Sequence, residues 1–190
     1  GRPSGCPPVA PGRRSSPGTE MLRTNLLACD EADNLLVTAD GNTLFVFGGD
    51  DEQPLWKGEC EGAILGVGVT DEEVITLDDS GSIVWWDGET GERTDEVSVE
   101  GSPKGFAVDA DGVAAVLTED GVEVVDPGDE PRRIELRGGR SVAWAGNGGR
   151  LAVGSRDGTL RIFEDADLEQ VGAAELAGPV IAAHGLAGGD

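Results

Sequence analysis

Along this chain short apolar runs alternate with polar breaks, and the breaks carry a recurring pair. From Thr24 onward an Asp-Gly or Ser-Gly pair follows an apolar run four times: Asp40-Gly41, Ser80-Gly81, Asp120-Gly121 and Asp157-Gly158. The glycines stand 40, 40 and 37 residues apart. Each pair is preceded by a strand-like run, Leu35 to Val37, Val74 to Leu77, Val113 to Leu117 and Leu151 to Val153. Each is followed by another, Thr43 to Phe47, Ser82 to Trp86, Val122 to Val125 and Thr159 to Phe163. A glycine pair between two β-prone runs predicts a tight hairpin, because glycine accepts the positive φ that such turns require. Helical periodicity is absent apart from a weak hint at Asp165 to Gln170, which reads as a loop.

Two further strands complete each unit. Upstream lie runs rich in glycine and alanine: Leu26 to Cys29, Ile64 to Val69, Phe106 to Val108, Val142 to Ala145 and Val180 to Ala183. Downstream lie polar alternating runs such as Thr94 to Val99 and Arg132 to Leu136. In the second of these Ile134 and Leu136 would point inward and Arg133, Glu135 and Arg137 outward. Small residues suit strands that crowd around an axis, and charged ones suit an outer edge that must not pair with other molecules. A four-stranded unit of about 40 residues predicts an all-β fold, a β-propeller of four-stranded antiparallel blades. The units run roughly over residues 24–60, 63–99, 104–137 and 141–176, with the first strand of a fifth at 180–186. About four blades are thus present in a propeller domain spanning residues 21–190, and the leftover strand suggests part of a larger propeller. Two copies closing one ring as a homodimer, or a four-bladed ring that discards the extra strand, are the alternatives.

The stretch Ser141 to Glu164, SVAWAGNGGRLAVGSRDGTLRIFE, resembles a WD-repeat unit, with Phe163-Glu164 in the place of the Trp-Asp pair. In the second unit that pair is literal, as Trp86-Asp87. The segment Asp87 to Glu92, together with Trp56, resembles repeats of pyrroloquinoline-quinone-type propellers. The first resemblance implies a rigid ring whose loops bind other proteins. The second implies a small molecule or quinone cofactor at a central channel.

Residues 1–20 hold five of the ten prolines and almost no large apolar side chain, which predicts a disordered leader or vector-derived segment. Met21, the only methionine, is then a candidate true start. No apolar run is long enough to span a bilayer as a helix, so a soluble cytoplasmic protein is the expectation. Acidic residues outnumber basic ones 37 to 14, a net charge of −23, which would repel both nucleic acid and anionic membrane. Either a basic protein partner, or halophilic life in high salt or a GC-rich genome, would account for this. The spread of acid over most of the chain favours the latter.

Material for catalysis is scarce. His184 is the single histidine, there is no tyrosine, and Cys6, Cys29 and Cys60 include no close pair. His-based triads and His/Cys zinc sites therefore lack their components, and no phosphate-binding loop or nucleophile elbow is present. Asp109-Ala110-Asp111-Gly112 resembles the start of a calcium loop but lacks the later oxygen ligands, and reads as a solvated hairpin turn. Trp144 reads as core. Trp85 and Trp86, adjacent on one strand, must point to opposite faces of their sheet.

One asymmetry points to function. Residues 21–131 carry 28 acidic and 4 basic side chains, whereas residues 132–190 carry 8 and 7. The arginines of this second part either pair with neighbouring acids or form a rim that meets an acidic partner. Lys104, Arg137, Arg140 and Arg156 are the candidate partner-binding residues, on loops at one end of the blades. The expected function is a non-catalytic protein-interaction scaffold with no cofactor and no metal. A small-molecule or quinone-binding propeller is the alternative.

Overall fold

The computed structural model describes residues 26–30, 35–48, 52–145, 149–164 and 167–180, the first of these as backbone only. The leader, Met21, Cys6, His184 and the fifth strand beyond Val180 lie outside the described residues.

The described residues form sixteen strands in four antiparallel meanders. The first sheet contains β1 (Leu26–Asp30), β2 (Leu35–Asp40), β3 (Thr43–Gly48) and β4 (Trp56–Glu59), paired in that order. The second contains β5 (Ile64–Val69), β6 (Glu73–Asp78), β7 (Ser82–Asp87) and β8 (Arg93–Ser98). The third contains β9 (Gly105–Val108), β10 (Ala114–Leu117), β11 (Gly121–Val125) and β12 (Arg132–Glu135). The fourth contains β13 (Gly139–Ala145), β14 (Arg150–Ser155), β15 (Thr159–Glu164) and β16 (Gln170–Glu175).

First strands lie side by side, β1 against β5, β5 against β9 and β9 against β13, which makes them the innermost. β13 and β1 make no comparable contact among the described residues. The four sheets are therefore an arc of propeller, and the closed four-bladed ring is not what they form.

Strand alternation decides how the arc holds together. Each middle sheet is buried on both faces, so successive residues feed two different cores. Trp86 enters the first core, between sheets one and two, with Val37, Leu44, Val46, Val74 and Val84. Trp85, one residue earlier, enters the second, between sheets two and three, with Ile75, Leu77, Ala114 and Val116. Trp144 sits in the third, with Val122, Val124, Leu151, Val153 and Phe163. Ile134 and Leu136 also face this third core, as their alternation predicts. Small residues on the inner strands let the sheets approach: a Cβ on Gly66 would collide with Phe106, and one on Gly68 with Val108.

The hairpin glycines divide. Gly41, Gly81 and Gly158 hold φ of +62°, +90° and +85°, as a tight turn requires. Gly121 does not have positive φ. Its turn closes through Thr118 N–H to the Gly121 carbonyl (2.8 Å), with Glu119 and Asp120 in the middle. Gly121 is instead the first residue of β11, where the Ile134 carbonyl leaves no room for a Cβ. The residue type was legible there, and its reason was not.

Each sheet ends in the same way. The residue after the fourth strand donates its N–H to the carbonyl of the residue before the third. The pairs are Cys60 to Asn42 (2.9 Å), Val99 to Gly81 (2.9 Å), Leu136 to Asp120 (3.0 Å) and Leu176 to Gly158 (2.8 Å). This bond ties every link between sheets to a hairpin, so links and hairpins share one end of the arc. The β1–β2-type and β3–β4-type turns occupy the other end.

Candidate functional site

Two kinds of segment meet where the third and fourth sheets adjoin at the link end. The β12–β13 link supplies Arg137 and Gly138, the start of β13 supplies Gly139 and Arg140, and the β8–β9 link supplies Lys104. The hairpin after β10 supplies Thr118, Glu119 and Asp120, and the hairpin after β14 supplies Arg156. Together they line a cleft of about 510 Å3. All four residues singled out from the sequence thus lie on one concavity, although up to 52 positions separate them in the chain.

Backbone bonds hold this geometry. Lys104 N–H donates to the Leu117 carbonyl (2.7 Å), Leu136 N–H to Asp120 (3.0 Å) and Arg156 N–H to Gly138 (2.9 Å). Gly138 takes φ +83°, and a Cβ on Gly139 would stand 2.6 Å from Leu117 Cδ1. The link must therefore turn sharply and lie close on the sheet beneath it.

Charge pairing separates the arginines of this region into two groups. Arg132 pairs with Asp126 (2.7 Å), Arg150 with Glu164 (3.6 Å) and Arg161 with Asp157 (3.4 Å). Arg133 spans Glu100 (3.7 Å) and the buried Glu123 (3.8 Å). Arg137, Arg140 and Arg156 are exposed and have no ion pair among the described residues. Lys104 touches Glu119 at 3.6 Å, a solvent-exposed contact worth less than about 1 kcal/mol and readily exchanged. In a chain with 37 acids, the cleft gathers four cations against two acids, Glu119 and Asp120, a local excess of positive charge.

The turn aspartates have structural work instead. Asp109 Oδ1 accepts the N–H groups of Asp111 (3.0 Å) and Val113 (2.8 Å), so the apparent calcium loop is the capped β9–β10 turn. Asp78 is buried. Burial raises the pKa of its carboxyl, but hydrogen bonds from Ser80, Gly62 and Ser82 outweigh this and bring it below the ordinary carboxylate value. Hydrogen bonds from the following turn residues likewise lower Asp87 (Thr90) and Asp157 (Thr159). Among the described residues no three His, Cys, Asp or Glu side chains are placed to hold a metal ion. Glu119 and Asp120 of the cleft were not singled out from sequence. Their turn stands at the same point of the repeat as Arg156, which is the signal that could have found them.

No family model and no curated protein matches the chain. Solved structures do. The β-propeller domain of Cps50 (Swd1) from Myceliophteria thermophila superposes with a TM-score of 0.73 at 15% identity, over 84% of this chain and 58% of that one. The WD40 domain of coronin from Toxoplasma gondii gives a TM-score of 0.64 at 14% identity, over 75% and 44%. The chain spans about half the length of these two structures. At such identities the likeness shows the fold alone, a WD-repeat-like propeller. The resemblance to pyrroloquinoline-quinone-type repeats gains no support from either.

Proposed function

We propose that this propeller arc is a non-catalytic interaction scaffold whose arginine-lined cleft takes an acidic segment of a protein partner. The observation that carries the reading is the set of three unpaired arginines, Arg137, Arg140 and Arg156, around one cleft while the other described arginines of the same region are paired. A guanidinium fork matches a carboxylate in two parallel hydrogen bonds, and it is more weakly hydrated than an ammonium. The net charge of −23 opposes any acidic partner at long range. At physiological salt that opposition fades beyond a screening length of about 8 Å, so the local sign of the cleft governs docking once contact is made.

The test is fluorescence anisotropy with a labelled peptide rich in Asp and Glu. Wild-type protein should bind it, more weakly as salt rises, and Arg137→Glu/Arg140→Glu should lose the binding. Arg150→Glu, at an arginine that is already paired, serves as the control and should keep it. Equal affinity of wild type and the double variant would remove the cleft from consideration.

A further inference from the structure

At the end of the arc opposite the arginine cleft, a second concavity lies in the seam between the first and second sheets. It measures about 620 Å3. Its first-sheet wall is apolar: Leu35 at the start of β2, Gly48 at the end of β3, and Leu55 before β4. Its second-sheet wall is acidic: Asp71 and Glu72 from the β5–β6 turn, Asp87 from the end of β7, and Glu89 from the β7–β8 turn. Among the described residues no lysine or arginine lines it.

Its shape is fixed by the backbone. Gly88 N–H donates to the Glu72 carbonyl (2.8 Å), and the Gly88 carbonyl accepts the indole N–H of Trp56 (2.8 Å). One glycine thereby fastens both acidic turns to the first sheet. Asp87 Oδ1 is held by the Thr90 hydroxyl (2.8 Å) and N–H (2.7 Å), which sets the third acid in place. Gly48 and Gly88 leave the floor without side chains. A Cβ on Gly48 would meet Leu55 Cδ1 at 2.7 Å, and one on Gly88 would meet Leu35 Cδ1 at 3.5 Å. Leu55 meanwhile stays 52% exposed at the lip. An aliphatic side chain held at the mouth of a preformed concavity, opposite carboxylates, is a surface with two chemistries side by side.

We propose that this groove docks a basic, leucine-containing segment of a protein partner. Arginine or lysine would meet Glu72 and Glu89 at the acidic wall. A leucine beside it would bury against Leu35 and Leu55. Charge complementarity selects the sign of the occupant, and the apolar wall selects a peptide over a small cation. The inference is independent of the arginine cleft. If both readings hold, the molecule joins an acidic segment at one end to a basic one at the other.

The test uses a labelled peptide with two arginines flanked by leucines, at a salt concentration of about 0.15 M where distant charges are screened. Glu72→Lys/Glu89→Lys should weaken it by about tenfold or more, the loss of close charge pairs. Asp129→Lys/Glu130→Lys makes the same change of net charge on a third-sheet turn outside the groove, and should leave affinity within about twofold. Leu55→Ser, at an exposed position that does not threaten folding, should weaken the leucine peptide but not a version with serine in place of leucine. Three results would each overturn the proposal: no measurable binding, equal binding of the leucine and serine peptides, or equal loss from both charge reversals. The last two describe only the ion atmosphere of a strongly acidic protein.

Discussion

The indole N–H of Trp85 donates to the carbonyl of Gly112 at 2.9 Å, across the seam between the second and third sheets. Trp85 is fully buried, and Gly112 is the positive-φ residue of the β9–β10 turn. A side chain on a third strand thus fixes a hairpin of the next sheet. Sheets one and two are joined by a similar bond, from Trp56 to Gly88. Propeller sheets share no backbone ladder with their neighbours, so polar bonds of this kind set the angle at which apolar faces meet.

Trp85→Phe keeps an aromatic ring in the core but removes the donor and part of the volume. The Gly112 carbonyl is then left without its partner in a dry seam. The expected cost is about 3 kcal/mol, combining an unsatisfied acceptor with a small cavity. Urea denaturation followed by the remaining tryptophan fluorescence measures it. A change below about 0.5 kcal/mol, within the range of inconsequential substitutions, would mean the bond contributes nothing.

Asp78 carries a pH prediction. Its Oδ1 accepts the Ser80 N–H (3.0 Å), Ser80 hydroxyl (2.6 Å) and Ser82 N–H (3.0 Å), while its Oδ2 accepts the Gly62 N–H (2.9 Å). Its folded pKa lies below the ordinary value, so the unfolded chain binds the proton more readily. The stability it contributes is complete above the unfolded pKa and is lost as pH falls through the folded one. Asp78→Ala should cost about 2–3 kcal/mol at neutral pH, because a buried turn loses its charged acceptor. The deficit relative to wild type should shrink on acidification through the carboxylate range. Protonation of surface acids relieves repulsion in both proteins alike, so the difference between them isolates Asp78. A deficit independent of pH would show that the charge of Asp78 is immaterial.

The fold was legible because its period is set by hairpins, and hairpins are written in local residues. Every hairpin from β2 to β3 and its equivalents fell where the glycine pairs placed it. The opposite facing of Trp85 and Trp86 followed from the two-residue period of a strand. The cleft was legible only as a list of basic residues on one end. Its shape depends on Thr118, Glu119, Asp120 and Gly138, which are ordinary turn residues until a neighbouring link folds over them. The second concavity was not legible at all. Leu35 reads as the start of a strand-like run, and only the seam between two sheets brings it and Leu55 opposite Glu72 and Glu89.

Gly121 supports a sharper contrast. Gly41 sits at φ +62° with nothing within 4 Å of its missing Cβ. Gly41→Ala should therefore cost only the backbone strain of positive φ, about 1 kcal/mol. Gly121→Ala has no such strain, but its methyl group would run into the Ile134 carbonyl and force β11 and β12 apart. Its cost should exceed that of Gly41→Ala by about 1–2 kcal/mol, the scale of overpacking. Thermal melts of the two variants decide the order. The reverse order would mean that β12 moves outward freely.

The last prediction concerns the acidity itself. Charge enters stability through the many carboxylates that lie near one another without cations: 37 acids against 14 bases leave most of them unpaired. Repulsion among them weakens the folded state, which holds them closer than the unfolded chain does. Molar salt shortens the screening length to about 3 Å, against about 10 Å at 0.1 M, and so removes most of that repulsion. We expect the melting temperature to rise markedly from low to molar KCl, as high-salt adaptation of the sequence requires. The arginine cleft should respond oppositely, since the same screening weakens its hold on an acidic peptide. A melting temperature indifferent to KCl would detach the acidity from salt and leave it to be explained by binding, in which case the acidic groove between the first two sheets is the place where it acts.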